Sequence, residues 1–186
     1  MEAILDAADA LIAEAGLASF STNAVAKAAG ISPGSLYQYF DDKEAIIGAL
    51  ADRYLEALAA RGLTLDAPAL RSLDVPSLVG EVVDPLIAYN LAHPTLRLLL
   101  SLDVTSPFAE PTAVLHNTMC AAVQGLLSGR ADVDPMRAAS AATVSVALFD
   151  GVLGRVEAAD PSERHALIDE LKRALAAYWT ELTTTG

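Results

Sequence analysis

Along this chain apolar residues recur with helical spacing, and nowhere do they alternate one-in-two as a half-buried strand requires. Ile4, Leu5, Ala8, Leu11, Ile12 and Ala15 fall on one stripe with Asp6, Asp9 and Glu14 off it, which predicts an amphipathic helix ended by Gly16. Its carboxylates read as a solvated face. A second run, Ala45, Ile46, Ala49, Leu50, Arg53, Tyr54, Ala57 and Leu58, predicts one long helix from Asp42 to about Arg61, closed by Gly62. The stretch from there to Pro76 contains Pro68 and little periodicity, so it reads as a boundary loop with room for a short turn of helix. Beyond it the pattern predicts helices at 76–92, 94–103, 108–128, 134–158 and 161–182. Asp134-Pro135 and Asp160-Pro161 each pair a capping carboxylate with proline at the first helical position, and Pro85 should kink the helix that contains it.

Between the first two long patterns, Ser21 to Glu44 reads STNAVAKAAGISPGSLYQYFDDKE. Ser21 can cap a helix running through Val25, Ala26 and Ala29, and Gly30 can supply the positive φ that ends it. Ser32 then caps a second helix, with Pro33 where a missing N–H costs nothing, expected to run through Leu36 to Tyr39 or Phe40. Asp41 and Glu44 have capping-box spacing and open a third. Helix, tight turn, helix is the arrangement whose second helix enters a DNA major groove. With Val25, Ala26, Ala29, Ile31, Leu36 and Phe40 turned inward, Gly34, Ser35, Tyr37 and Gln38 face outward, and Ser32 and Pro33 sit at the tip. Gly34 would let the backbone come close to DNA, Gln38 can bond adenine, and Ser35 can serve either base type. Thr22 and Asn23 occupy the first turn of the preceding helix, where free N–H groups attract phosphate; capping is their plainer role. Tyr39 is open between offering its hydroxyl to phosphate and packing half-buried.

The small-residue turn, the Leu-Tyr-x-Tyr-Phe block ending at Phe40 and the Lys43-Glu44 pair give this region its character, densest in AVAKAAGISPGSLYQYFDDKEAI. From Ile4 to about Tyr54 it resembles the tetracycline-repressor-like (TetR) family of bacterial transcription regulators. The resemblance implies an all-α fold: a three-helix helix-turn-helix DNA-binding domain over residues 1–45, joined by a long helix to a helical effector-binding and dimerisation domain over 46–186. It implies operator contact by Thr22, Asn23, Ser32, Pro33, Gly34, Ser35, Tyr37, Gln38, Tyr39 and Lys43, with Tyr39 and Lys43 on the phosphate backbone. It also implies a homodimer through the last two helices, two reading heads on a palindromic duplex, and a repressor released by a small molecule. A basic arm before the first helix is usual in the family, whereas the sequence opens at Met1-Glu2-Ala3, directly on that helix.

Charge complicates this picture. Residues 1–50 carry two lysines, Lys27 and Lys43, against seven carboxylates, a balance of −5 within a total of −12. Phosphate neutralisation supplies most non-specific DNA affinity, so an acidic head favours a second reading, a helical dimeric interaction or sensor protein with weak or lost DNA binding. Helix N-termini and neutral donors can still hold phosphate. The other compositional limits are simpler: Cys120 is the only cysteine, so neither an intrachain disulfide nor a cysteine zinc cluster is available. With no amino-terminal signal and no apolar run near 18 residues, a soluble, cytoplasmic protein without a membrane partner is expected.

For the effector, the candidates are Leu86, Tyr89, Asn90, Leu99, Leu115, His116, Met119, Phe149 and Asp150, with Leu126, Arg97, Asp103 and Gln124 behind them. Asp150 follows Phe149 in an apolar stripe, and is either a buried polar group or a carboxylate on the opposite face. The dimer stripes are Ala138, Ala141, Ala142, Ser145, Leu148, Phe149, Val152 and Val156, then Leu167, Ile168, Leu171, Leu175, Tyr178 and Leu182. The three histidines are far apart in sequence, there is no phosphate loop, and no Ser-His-Asp or metal-ligand spacing stands out, so neither catalysis, a metal nor a cofactor is expected.

Overall fold

The computed structural model describes residues 1–61, 65, 67–102 and 105–183, and among them there is no strand. In chain order the helices are α1 Glu2–Ala15, α2 Thr22–Ala28, α3 Pro33–Leu36, α4 Lys43–Ala60, α5 Pro68–Arg71, α6 Val75–Ala92, α7 Pro94–Leu100, α8 Ala109–Ser128, α9 Pro135–Ala158 and α10 Pro161–Thr183, with a 3₁₀ turn at Leu17–Ser19. The helical patterns in the sequence therefore become helices, mostly within two residues of their expected ends. Gly62 and Asp103, assigned to a helix end and a polar candidate, lie outside the described residues.

The chain packs as two compact units, Met1–Ala57 with His93–Leu115, and Leu58–Ala92 with His116–Gly186. In the first, Ile4, Leu5, Ala8 and Ile12 of α1 share a core with Val25, Ala26, Leu36 and Phe40 and with Ile46, Ile47 and Leu50 of α4. Asp6 and Glu14 of α1 lie on the expected solvated face, whereas Asp9 is half-buried. Arg53 donates to Asp6 at 2.7 Å and to Asp9 at 2.9 Å, and the Tyr54 hydroxyl donates to Asp9 at 2.8 Å. Burial, and then the bond to Asp9, push the Tyr54 phenol well above its ordinary range. Residues after His93 close the same core: the Thr95 hydroxyl donates to the Asp9 carbonyl at 3.2 Å, and Phe108 meets Phe20 edge-on at 6.2 Å.

The second unit is built on α6, α9 and α10 with the later turns of α8. Asp134 caps α9 by accepting from the Met136 N–H, and Asp160 caps α10 by accepting from the Ser162 and Glu163 N–H groups, which holds the Asp160 carboxyl below its usual range. Arg130, buried just after α8, donates to the carbonyls of Arg71 and Leu73 and pairs with Asp132 at 2.8 Å, so a single guanidinium ties the end of α5 to the α8–α9 connection.

The inner faces of the last two helices differ in detail from the expected stripes. Within the unit α9 also buries Val146 and Leu153, which the stripes left out, while Leu148 is exposed and Val152 half-buried; α10 buries Trp179, likewise left out, with Tyr178 half-buried. The three-and-four spacing of a helix allows either choice, and packing against α6 and α8 decides between them. Helix α9 also contains an 18-residue window of mean hydropathy 1.3, long and apolar enough to cross a membrane, contrary to the expectation of no such run; 39% of that window is buried within the unit.

Candidate nucleic-acid interface and ligand cavity

The turn between α2 and α3 is specified residue by residue. Ser21 accepts from the Ala24 N–H at 3.2 Å to start α2. At its other end Gly30 takes φ +70°, its N–H reaches the Lys27 carbonyl, and the Ile31 N–H reaches back to Ala26 at 3.0 Å. These two bonds form a Schellman closure, which needs the left-handed conformation that glycine adopts without strain. Ser32 then accepts from the Ser35 N–H at 3.0 Å, and Pro33 opens α3.

Helix α3 is one turn long, half the expected length. Past Leu36 the backbone tightens, with Gln38 bonding to Ser35 and Tyr39 to Leu36 three residues back. The start of α4 also moves by one residue from the Asp41 capping box: Asp42 is the cap, accepting from the Ala45 N–H at 2.7 Å. Leu36, fully buried, and Phe40 pin this segment from beneath. Ser32, Pro33, Gly34, Tyr37, Gln38 and Tyr39 remain exposed, with Ser35 half-buried. Tyr37 is 51% and Tyr39 56% accessible, so the packing alternative for Tyr39 is not the one adopted. The Thr22 hydroxyl lies 3.2 Å from that of Tyr37, bringing the first turn of α2 and the end of α3 together through two neutral hydroxyls; Thr22 is half-buried and Asn23 beside it is exposed. A Cβ at Gly34 would meet only the Ser32 Oγ, at 3.8 Å, so the fold itself does not demand glycine there. Lys43 is not simply solvated: its Nζ sits 5.1 Å above the Phe108 ring and 4.0 Å from Glu44.

The second unit contains a cavity of about 30 Å³. Val82, Val83 and Leu86 of α6 and Met119 and Val123 of α8 line one side. Ser145, Val146 and Phe149 of α9 and Leu175 and Trp179 of α10 line the other. The Trp179 indole N–H donates to the Ser145 hydroxyl at 2.8 Å, and that hydroxyl donates to the Ala141 carbonyl at 2.7 Å.

Of the nine effector candidates, Leu86, Met119 and Phe149 line this cavity. Tyr89 and Asn90 are buried on α6 away from the lining; Arg61 stacks 5.2 Å over the Tyr89 ring and Asn90 donates to the Leu86 carbonyl at 2.9 Å. Leu99 and Leu115 are buried in the first unit instead. His116 and Asp150 face each other, with His116 Nδ1 3.7 Å from Asp150 Oδ2. Burial pushes the Asp150 carboxyl up to about 6, the facing imidazole pulling it part of the way back. Sequence reasoning missed Val82, Val83, Val123, Ser145 as a wall residue, Val146, Leu175 as a wall residue, and Trp179; the i, i+4 spacing from Leu171 through Leu175 to Trp179 was the available clue.

One juxtaposition is absent from any sequence motif. His116 Nε2 lies 3.6 Å from the Cys120 Sγ, so cysteine, imidazole and Asp150 stand in line. Burial and the Asp150 charge push the thiol up, the reverse of nucleophile activation, and the 3.7 Å between imidazole and carboxylate exceeds a good hydrogen bond. Among the described residues no group of three or more His, Cys, Asp or Glu side chains is placed to hold a metal ion.

Residues 4–50 match the model for bacterial regulatory proteins of the tetR family, and residues 74–178 match that of the tetracyclin repressor-like C-terminal domain. An uncharacterized HTH-type transcriptional regulator of Mycobacterium tuberculosis is 29% identical over 133 residues, covering 70% of this chain and 55% of its own length. The chain thus spans about half of that relative. The HTH-type transcriptional regulator BetI of Burkholderia thailandensis is 29% identical over 164 residues, covering 80% of this chain and 77% of its own. The crystal structure of a TetR-family regulator from Streptomyces coelicolor superposes with TM-score 0.60 at 26% identity, covering 97% of this chain and 98% of that one. With one family model on the helix-turn-helix and a second spanning more than half the chain behind it, this chain belongs to the TetR family of bacterial regulatory proteins.

Proposed function

We propose that this protein is a DNA-binding transcription regulator of the repressor type, acting in the cytoplasm and released from a palindromic operator by a small molecule. The observation that carries the reading is the exposed segment Ser32–Tyr39, held over buried Leu36 with its donors turned to solvent. Gly34, Ser35 and Gln38 would approach base edges, with Ser32 and Pro33 at the tip; Thr22, Asn23, Tyr37 and Tyr39 would hold phosphate through neutral groups, and Lys43 would add one charge. Residues 1–45 form the reading part in this account, and 46–186 the effector and dimer part.

A one-turn reader contacts few base pairs, so a dyad is needed to deliver two readers about 34 Å apart. Support for a homodimer through α9 and α10 comes from the outer face of α9, where Val144 and Leu148 are exposed among Ser140, Ala147 and Gly151. Small residues there would allow two copies to approach closely. The effector would act by binding more tightly to the dimer state whose readers are misplaced, shifting the balance only by that difference in affinity. The role is binding rather than catalysis.

The test is selection of duplexes from a random pool followed by gel-shift titration at low salt. A selected duplex should be retarded more strongly than random DNA, and Tyr37→Ala should weaken that complex while sedimentation still reports a dimer. Absence of retardation at every salt would replace this reading with the helical interaction protein that the −5 balance of residues 1–50 favours.

A further inference from the structure

We propose that Phe108 is a positioning residue for DNA contact: its ring, lying outside the helix-turn-helix, holds the Lys43 ammonium where a backbone phosphate can reach it. This rests on the DNA-binding reading above. Lys27 and Lys43 are the only basic side chains among residues 1–50, so the placement of the Lys43 charge counts for more here than it would in a basic reader. A lysine stem is flexible, and a free one loses rotamer entropy when a phosphate pins its head. Here Nζ lies 5.1 Å from the centre of the Phe108 ring, with the side chain still 41% accessible. Glu44, at 4.0 Å, is beyond hydrogen-bond reach. A ring face attracts the charge but covers only one side of an ammonium with three N–H donors. The outer side stays open to an anion, which a bonded carboxylate would have blocked.

The ring is itself fixed. Phe108 is buried directly before α8 and meets Phe20 edge-on. Its N–H donates to the Ser106 hydroxyl at 3.2 Å, and its carbonyl accepts from the Thr112 hydroxyl at 2.8 Å. The start of α8 in turn packs on α4, where a Cβ at Gly48 would meet that of Pro111 at 3.7 Å. Phe20 immediately precedes Ser21, the cap of α2, and Lys43 is the first residue of α4. One aromatic from far along the chain thus joins the two helix starts assigned to phosphate, Thr22 and Asn23 on one side and Lys43 on the other.

The full-length chain is titrated by gel shift on its selected duplex, with Phe108→Leu and with Phe108→pentafluorophenylalanine, which keeps the shape of the ring and reverses the charge of its face. Each should weaken the two-headed complex by about tenfold, about threefold per head, and each should cost under about twofold when combined with Lys43→Met. Where leucine costs the fold, the fluorinated protein decides. Equal losses with and without Lys43→Met, or full affinity in the fluorinated protein, overturn the proposal, since packing alone would then explain Phe108. A second readout needs no DNA: ring current should shift the Lys43 ε-methylene protons upfield in the parent, and Phe108→Leu should return them to the ordinary lysine position. An ordinary position in the parent overturns the proposal as well. The two levels of failure are distinct: a parent that retards no duplex brings down the DNA-binding reading and this role with it, whereas a parent that binds without coupling between Phe108 and Lys43 brings down the role alone.

Discussion

The segment Ser32–Tyr39 and the cavity behind Trp179 are built on opposite terms. The first is held by bonds between near neighbours in sequence, Ser32 to Ser35, Gly30 to Lys27 and Ile31 to Ala26, above one buried anchor, Leu36. Its polar groups face outward. The second is assembled from four helices whose wall residues run from Val82 to Trp179, and its few polar side chains are bonded within the unit, Trp179 to Ser145 and Ser145 to the Ala141 carbonyl. Local hydrogen bonding can thus hold a segment with its polar groups outward, whereas an apolar wall made by distant segments depends on which side chains the packing brings together.

The contrast is sharpest in stability. Trp179→Ala should cost about 3–5 kcal/mol in urea unfolding, because it removes a buried ring and leaves the Ser145 hydroxyl without its donor. A loss below about 1 kcal/mol would mean that the wall collapses freely and that the two regions are less different than described.

Next in size is Asp150. Its carboxyl is raised from 3.8 to about 6, so the folded state holds the proton more tightly than the unfolded chain. The sign follows: this group's contribution to stability is fully present below pH 3.8 and is lost as pH rises through about 6. Asp150→Asn should therefore be more stable than the parent at pH 8, by at most about 2–3 kcal/mol, with the gap closing near pH 4. Unfolding curves at the two pH values decide it. A gap that widened toward acid would show that contact with His116, rather than burial, governs the group.

Effects at the reading segment should be smaller in stability and larger in binding. Ser32→Ala removes the cap of α3 and should cost about 1 kcal/mol in thermal unfolding. Tyr37→Phe removes only the hydroxyl that meets Thr22, should change stability by under about 0.5 kcal/mol, and should lower operator affinity by about fivefold, the equivalent of one hydrogen bond. Since Ser32–Tyr39 contains no lysine or arginine, the salt dependence of the parent should be shallow as well, a slope no steeper than about −2 per head from Lys27 and Lys43. A steep slope would point to cations elsewhere on the chain and would break the account of a reader built on neutral donors.

Much of the fold could be read without coordinates because helix starts and stops are local chemistry. Ser21, Ser32, Asp134 and Asp160 cap where their side chains predict, and Gly30 takes the positive φ that its position demands. The errors share one cause. Asp41 against Asp42 as the cap, and the omission of Val146 and Trp179 from the stripes, are choices between nearby residues that local rules rank almost equally. The length of α3 belongs with them: nothing in Tyr37-Gln38-Tyr39 forbids a second turn, yet the backbone tightens once Leu36 and Phe40 are both drawn into the core.

By itself, then, the sequence determined the all-helical fold, the capped helix-turn-helix and the face that Tyr37 and Gln38 present, since each follows from side chains acting on backbone within a few residues. Only tertiary packing decided that Asp6 and Asp9 clamp Arg53 and Tyr54, that Leu99 and Leu115 belong to the first unit, and that Ser145 and Trp179 close each other off inside the cavity. Those outcomes depend on which distant surfaces meet, and hydrophobic burial, being non-directional, leaves no mark of its partner in the local pattern.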